Sequence, residues 1–261
     1  MNILDKIVVD KRKEVALKAG ILPVSQFEKS VLFERTGNSL SIALKNSNTG
    51  IIAEHKRRSP SKQTINQNTN VAQVAQGYEK AGVCGMSILT DIKYFGGSLE
   101  DLILARSSVN LPLLRKEFII SEYQILEAKA YGADVILLIA AILTRNEIKS
   151  LSELAKNLGM DVLLEIHNRE ELEKSMMPSL DMLGVNNRDL KTFEVSLETS
   201  KELSKYIPED FVKVSESGIS SITAIKDLKT YGYQGFLIGE NFMKTDDPGK
   251  SAATFIKELS E

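Results

Sequence analysis

From residue 51 onward, short apolar runs alternate with charged, amphipathic segments. The runs cover 51–56, 83–90, 111–118, 134–141, 161–167, 182–188, 211–217 and 235–240, eight in all, and start roughly 21 to 32 residues apart. A strand of about five or six residues, a helix of about eleven and two short loops fill such an interval. Consecutive Ile, Leu and Val within the runs predict strands covered on both faces. Between them, 71–81 places Val71, Val74, Ala75 and Tyr78 on one helical face, with Gly82 as its stop. Segment 121–130 opens on a capping serine, 144–157 opens on a capping box of Thr144 and Glu147, and 220–230 stops at Gly232. Strict βα alternation without a long structureless gap predicts a parallel sheet, and eight units predict a closed (β/α)8 TIM barrel of the α/β class.

The first 50 residues precede the first strand, and Leu4, Ile7, Val8 and Val15 recur there at helical spacing. The expected organisation is a single domain, 1–261, with a helical extension over 1–50 packed on a barrel over 51–261. No sequence repeat or low-complexity linker divides the chain.

Composition narrows the function classes. The 33 basic and 35 acidic residues nearly balance, which argues against a nucleic-acid binder with its basic excess. One cysteine, Cys84, excludes an intramolecular disulfide framework, and with only His55 and His167 a zinc site has little to draw on. No apolar stretch reaches membrane-spanning length, and the charged N-terminal segment lacks a signal-peptide core, so a cytoplasmic protein is expected.

In such a barrel the functional residues sit at the C-terminal ends of the strands. Polar residues break the apolar trend there, in Glu54-His55-Lys56, Arg115-Lys116-Glu117, Glu165-Ile166-His167, Asn186-Asn187-Arg188, Ser215-Glu216-Ser217-Gly218 and Gly239-Glu240. Glu54 and Lys56 share one face of their strand, with His55 on the other. One carboxylate–lysine pair would fit a structural ion-pair layer. Two lysines and two carboxylates, Glu54, Lys56, Lys116 and Glu165, ending three strands, favour acid–base chemistry. Clustered lysines should depress at least one lysine pKa, which nearby carboxylates oppose.

The glycines after the seventh and eighth strands serve either as tight turns or as a phosphate cradle, and two adjacent loops of this kind favour the cradle. His167 shares the face of Glu165 and is read as a supporting hydrogen-bonding residue. Cys84 is assigned to the core, and 94–98 to a loop offering an aromatic wall, with Ser98 capping the next helix. Arg57, Arg58 and Lys62, with Lys56 and Arg188, point to a strongly anionic ligand.

Together these motifs resemble the indole-3-glycerol phosphate synthase family. The pieces that carry the resemblance are IIAEHKRRSPSK, SILTDIKYFGGS, LPLLRKEFIISEYQILEAKAYGADVILLIAAIL, LLEIHNREEL, LGVNNRDLKTFEV, VSESGI and LIGENFM, in order along the chain. The resemblance implies closure of 1-(2-carboxyphenylamino)-1-deoxyribulose 5-phosphate to indole-3-glycerol phosphate with loss of carbon dioxide and water. It implies a small phosphorylated anionic substrate, no metal, no organic cofactor, no nucleic acid and no membrane partner. A monomer is the simplest expectation, with no second catalytic domain appended.

By resemblance Lys116 is the general acid, and Glu54 and Glu165 are catalytic carboxylates. Lys56 holds the anionic substrate or acts as a second acid, the division of proton transfers among Lys56, Lys116, Glu54 and Glu165 staying open; Asn186 is an active-site asparagine and Arg188 lies near the anthranilate carboxylate. Ser59, Ser217, Gly218, Gly239 and Glu240 align with the phosphate site, and Phe95, Phe118, Leu137 and Leu190 with the apolar pocket. Three departures stand out. His55 replaces an aliphatic residue, Glu117 replaces an aspartate, and Glu240 stands where some relatives have serine and would repel phosphate unless it points away. The alternatives are a phosphoribosylanthranilate isomerase-like barrel and a non-catalytic binder of a phosphorylated metabolite. The extension is also expected to close over the substrate, so that deleting residues 1–45 weakens binding more than stability.

Overall fold

The computed structural model describes residues 3–190 and 192–261; Met1 and Asn2 of the predicted extension, and Lys191 of the LKTFEV segment, lie outside the described residues. Eight parallel strands close on themselves in sequence order. They are β1 (Ile51–His55), β2 (Gly85–Leu89), β3 (Leu113–Lys116), β4 (Val135–Ile139), β5 (Asp161–Ile166), β6 (Met182–Asn186), β7 (Val212–Glu216) and β8 (Tyr233–Ile238). Pairing of Ile51 with Phe236 joins β1 to β8 and completes the (β/α)8 barrel.

Seven of the strands are shorter than their apolar runs and the eighth is displaced, for local reasons. β3 starts only after Pro112, which has no N–H to give; its carbonyl accepts from Met86 N (2.9 Å). After β4, residues Ala140–Ile142 tighten into a 3-10 turn. β8 lies two residues earlier than the run implies, because exposed Gln234 interrupts the apolar pattern at its start while Gly239 already leaves the sheet.

Alternation divides each strand between two cores. Ile52, Leu114, Leu137, Leu163, Met182, Val212, Val214 and Leu237 face the interior. Ala53, Ile88, Ile136, Leu138, Val162, Leu164 and Val185 face the helix layer. The predicted helices form: Val71–Ala81 is capped by Asn70 and ends at Gly82 (φ 80°), and Thr144 and Glu147 make the capping box of Arg145–Asn157. Ser221 rather than Ser220 caps Ile222–Thr230. Segment 94–98 is not a plain loop: Asp91 accepts from the N–H groups of Tyr94 and Phe95 and winds Ile92–Phe95 into a helical turn, while Ser98 caps the following helix as predicted.

The extension comprises α1 (Ile3–Ile21), α2 (Val24–Phe27) and α3 (Leu40–Lys45). α1 lies over the barrel mouth; of its apolar spacing only Ile7 is fully buried. α3 closes the opposite end, where Leu40 and Leu44 enter the interior core beside Gly85 and Gly235. Two buried aspartates tie this end down. Asp134 accepts from Asn38 N and Leu113 N (both 2.9 Å) and pairs with Arg35 and Arg106. Asp161 accepts from Ser39 Oγ (2.8 Å) and Ser41 N (2.9 Å). Deleting residues 1–45 would therefore expose the barrel floor as well as its mouth, so stability suffers with binding, against the expectation from sequence. Among the described residues no helix is long and apolar enough to cross a membrane.

Candidate active site

The fifteen catalytic and substrate-binding residues that the resemblance implies all line one cavity of about 350 Å³ at the C-terminal ends of the strands. Glu54 and Lys56 come from β1 and its exit, Lys116 from β3, Leu137 from β4, Glu165 from β5 and Asn186 from β6. Strand parity puts them there: Glu54 follows inward Ile52, Lys116 follows Leu114 and Glu165 follows Leu163. Phe95, Phe118, Leu137 and Leu190 supply apolar wall, with the Phe95 and Phe118 rings 5.9 Å apart. α1 adds Ile3, Leu4 and Ile7, a contribution that helical spacing alone could not assign to this cavity.

The polar centre is Lys116. Its Nζ sits 3.4 Å from Glu165 Oε2 and hydrogen-bonds Glu216 Oε2. Glu216 is absent from the candidates read from sequence, although it stands two residues after inward Val214, as Glu54 stands after Ile52 and Glu165 after Leu163. Lys56 Nζ contacts Glu54 Oε1 at 2.5 Å. Burial pulls the Lys116 ammonium down, but Glu216, Glu165 and Glu54 outweigh it and hold its pKa above the ordinary value. The carboxylates, not the clustering of lysines, thus win. Burial together with Glu165 and Glu54 pushes the Glu216 carboxyl up to about 7 in spite of Lys116. Burial also pushes Glu165 up, yet Lys116, His167 and a hydrogen bond from Asn186 bring it below the usual carboxylate range.

Space for these carboxylates is cut into the neighbouring strands. A Cβ at Gly184 would come within 2.4 Å of Glu216 Oε1, and one at Gly239 within 2.5 Å of Glu54 Oε1.

The rim is built by the loops after β1, β7 and β8. Ser217 (φ 67°) and Gly218 (φ 77°) turn left-handed in succession, which costs about 1–2 kcal/mol at the serine. Ser59, Ser217, Gly218, Gly239 and Glu240 all line this side of the cavity. Glu240 is half exposed and its carboxylate pairs with Lys62 Nζ (2.7 Å), a hydrogen bond that holds its pKa below the usual range. Lys62 thereby offsets the repulsion that a bare carboxylate would exert on an anion.

Three of the predicted cations do not line the cavity: Lys62 reaches it only through Glu240, and Arg57 and Arg58 are turned elsewhere. Arg57 makes a bidentate pair with Asp101, and Arg58 donates to the carbonyls of Ile92 (2.8 Å) and Lys93 (3.0 Å). Both hold the loop after β2 in place. Arg188 does line the cavity, its guanidinium anchored to Phe193 O (3.1 Å). His55 is buried outside the barrel near Arg57 and Asp101, where burial and then Arg57 push its pKa down to about 4. Cys84 is buried in the core as assigned. Among the described residues no group of three or more His, Cys, Asp or Glu is placed to hold a metal ion.

Fold and cavity define a (β/α)8 barrel with a lysine–glutamate cluster at its mouth, walled by aromatic and aliphatic side chains. The chain matches the sequence model of indole-3-glycerol phosphate synthase over residues 4–257. It is 46% identical over 239 residues to the indole-3-glycerol phosphate synthase of Bacteroides thetaiotaomicron, covering 92% of each chain. The Koribacter versatilis protein of the same name is 42% identical over 242 residues, covering 92% of this chain and 93% of that one. Among solved structures, 3-hexulose-6-phosphate synthase from Salmonella typhimurium superposes with a TM-score of 0.63 at 14% identity, over 81% of this chain and 98% of that one, a likeness of fold. The chain belongs to the indole-3-glycerol phosphate synthase family.

Proposed function

We infer that this chain is a carboxy-lyase of tryptophan biosynthesis that converts 1-(2-carboxyphenylamino)-1-deoxyribulose 5-phosphate to indole-3-glycerol phosphate, carbon dioxide and water. The observation that carries the reading is Lys116, a largely buried ammonium between Glu165 and Glu216 that is open to the cavity beneath an apolar wall. The aromatic ring of the substrate lies against Phe95, Phe118, Leu137 and Leu190, with its carboxylate toward Arg188 and Lys56. The phosphate sits against Ser59, Ser217, Gly218, Gly239 and Glu240, contacting backbone at Glu240 while its side chain stays with Lys62.

The ring carbon that bears the carboxylate attacks the ketone carbon. Negative charge builds on the ketone oxygen, and Lys116 stabilises it and delivers the proton. Carbon dioxide then departs, leaving its bonding electrons to restore the aromatic ring. Loss of the new hydroxyl as water needs an acid, for which Lys56 stands ready beside Glu54. The last proton leaves the five-membered ring to Glu165, which is held anionic and so is free to accept it. Asn186 orients that carboxylate.

A fluorescence assay for the indole product tests the reading. Saturable product formation from the carboxyphenylamino-deoxyribulose phosphate supports it. A folded protein that binds this compound without turning it over would instead be a phospho-metabolite binder. Glu216 has its own test in Gly184→Ala, where the added methyl displaces the carboxylate from Lys116. We expect kcat to fall about 10- to 100-fold with an unchanged far-UV spectrum, since angstrom-scale misplacement costs about that much. An unchanged kcat would remove Glu216 from the mechanism.

A further inference from the structure

His167 does not line the cavity. It lies directly behind Glu165, one residue beyond the end of β5, in the wall of a neighbouring groove of about 710 Å³ that it shares with Glu171 and with Leu4, Asp5 and Val8 of α1. The two spaces meet at Asn186, Arg188 and Leu190, which line both. Glu165 therefore faces the reacting space, while the imidazole faces a second, more open one.

The local sequence fixes this ring. Asn168 caps the helix Arg169–Ser175 by accepting from Glu171 N (2.9 Å), and the Glu171 carboxylate reaches back. Its Oε1 accepts from Asn168 Nδ2 (3.0 Å), and its Oε2 accepts from His167 N (2.8 Å) and lies 3.2 Å from His167 Nδ1. With Nδ1 committed to Glu171, Nε2 points at Glu165 Oε1, 3.5 Å away. That nitrogen is buried and makes no hydrogen bond within the protein. The separation is an ion-pair distance that a shift of a few tenths of an ångström converts into a hydrogen bond, as occurs when substrate tightens a site.

We propose that His167 is a positioning residue for Glu165, forming with Glu171 a three-membered chain that aims the Glu165 carboxylate and exchanges protons between it and the outer groove. The proposal deepens the reading given above, since it rests on Glu165 receiving the last proton. After that step Glu165 holds a proton on a side chain that is only 5% exposed. His167 Nε2 in its neutral form accepts it, Nδ1–H gives its own to the Glu171 carboxylate, and Glu165 returns to the anion. Exchange with groove water then takes the proton from Glu171 and restores the Nδ1–H tautomer before the next turnover. No atom is gained or lost over the cycle, and Lys116 is not called on to clear the site.

The charges around the ring agree. Glu165 on β5, Glu171 on the following helix and Glu216 on β7 face it, with Lys116 beyond Glu165, and Asp5, Arg188, Asp189 and Glu194 lie along the groove. Burial pulls His167 down, but Glu171, Glu165 and Glu216 outweigh it and hold the imidazole above its ordinary value. The imidazolium in turn helps keep Glu165 ionised. As pH rises through the His167 transition the ring loses its charge, and a lone pair then faces a carboxylate.

The test compares kcat and KM against pH for the full chain, for His167→Gln and for Glu171→Gln, with wild type and His167→Gln also followed by carbon-13 titration of their glutamate carboxyls. In His167→Gln we expect KM to stay within about twofold, because the ring touches no substrate, while kcat falls about 10- to 100-fold, at the lower end of what proton-transfer groups supply. The acidic limb of the profile moves to higher pH, because Glu165 has lost a positive neighbour. Glu171→Gln moves it the same way by less. The carboxyl titration needs no turnover: a rise in the Glu165 transition in His167→Gln upholds the coupling even if wild type proves inactive, which would sink the functional reading alone. An unmoved Glu165 transition, or a lower kcat with an unchanged pH profile, would overturn the proposal.

Discussion

Lys116→Met should leave a folded protein that binds substrate and barely turns it over. The methionine keeps the length and apolar character of the side chain while deleting the one ammonium shared by Glu165 and Glu216. A positioned acid supplies about 10²- to 10⁴-fold, and a preformed electrostatic contact to a developing oxyanion supplies about 10²- to 10³-fold. We expect kcat to drop by about 10³-fold or more, with KM within a few-fold, in the indole fluorescence assay. The two carboxylates, having lost their partner, take up protons in the variant, so circular dichroism at several pH values verifies that the fold persists. Retention of kcat within about tenfold would move the acid role to Lys56.

The largest effect on stability should come from Lys11 in α1. Its side chain is 2% exposed, and its ammonium lies 3.0 Å from Asp91 Oδ2, 3.1 Å from Glu117 Oε1 and 2.8 Å from Glu14 Oε2. Burial pulls this lysine down, yet Glu117, Asp91 and Glu14 outweigh it and raise its pKa. Asp91 caps the turn that carries Phe95, and Glu117 accepts from Phe118 N (2.8 Å), so one ammonium fastens the extension to both aromatic walls of the cavity. Lys11→Met strands two buried carboxylates, and removing one partner of a buried pair costs about 3–5 kcal/mol. Urea unfolding should show a loss of that order, and Lys11→Met/Glu117→Gln should recover part of it. A loss below about 1 kcal/mol would mean that water or protons replace the ammonium without difficulty.

How far these features can be read from sequence differs element by element. The eight strands were legible because consecutive Ile, Leu and Val between capped helices leave little besides a doubly covered parallel sheet. Their ends were less so, since Pro112 and Gln234 act through single hydrogen bonds and single exposures that a run of apolar letters does not record. Glu54, Lys116 and Glu165 could be picked out by parity along their strands. Glu216 obeys the same parity, but the Ser217-Gly218 pair that follows it points to phosphate instead. Arg57 was misplaced because charge carries no direction in a sequence; its partner Asp101 lies on the helix after β2. What α1 contributes was not legible at all. Helical spacing says that a face is apolar, not which of several cavities it covers, and the contacts of Ile7 and Lys11 are long-range.

The pairing of Ile51 with Phe236 makes the first strand wait for the last. In any partly assembled barrel, β1 and the last strand to have paired would be the two open edges of the sheet. Such edges invite pairing with other chains, and inward-pointing charges are one means by which proteins discourage it. β1 carries Glu54 and β7 carries Glu216 on the face that will become the interior. Pairing the β7 edge with a stranger would bury the Glu216 carboxyl without Lys116, at a cost of several kcal/mol, whereas Glu54 carries Lys56 with it on the same stretch of chain. A carboxyl set at the mouth for chemistry would thus also discourage stray pairing of an unfinished barrel, until β8 pairs with β1 and the seam shuts.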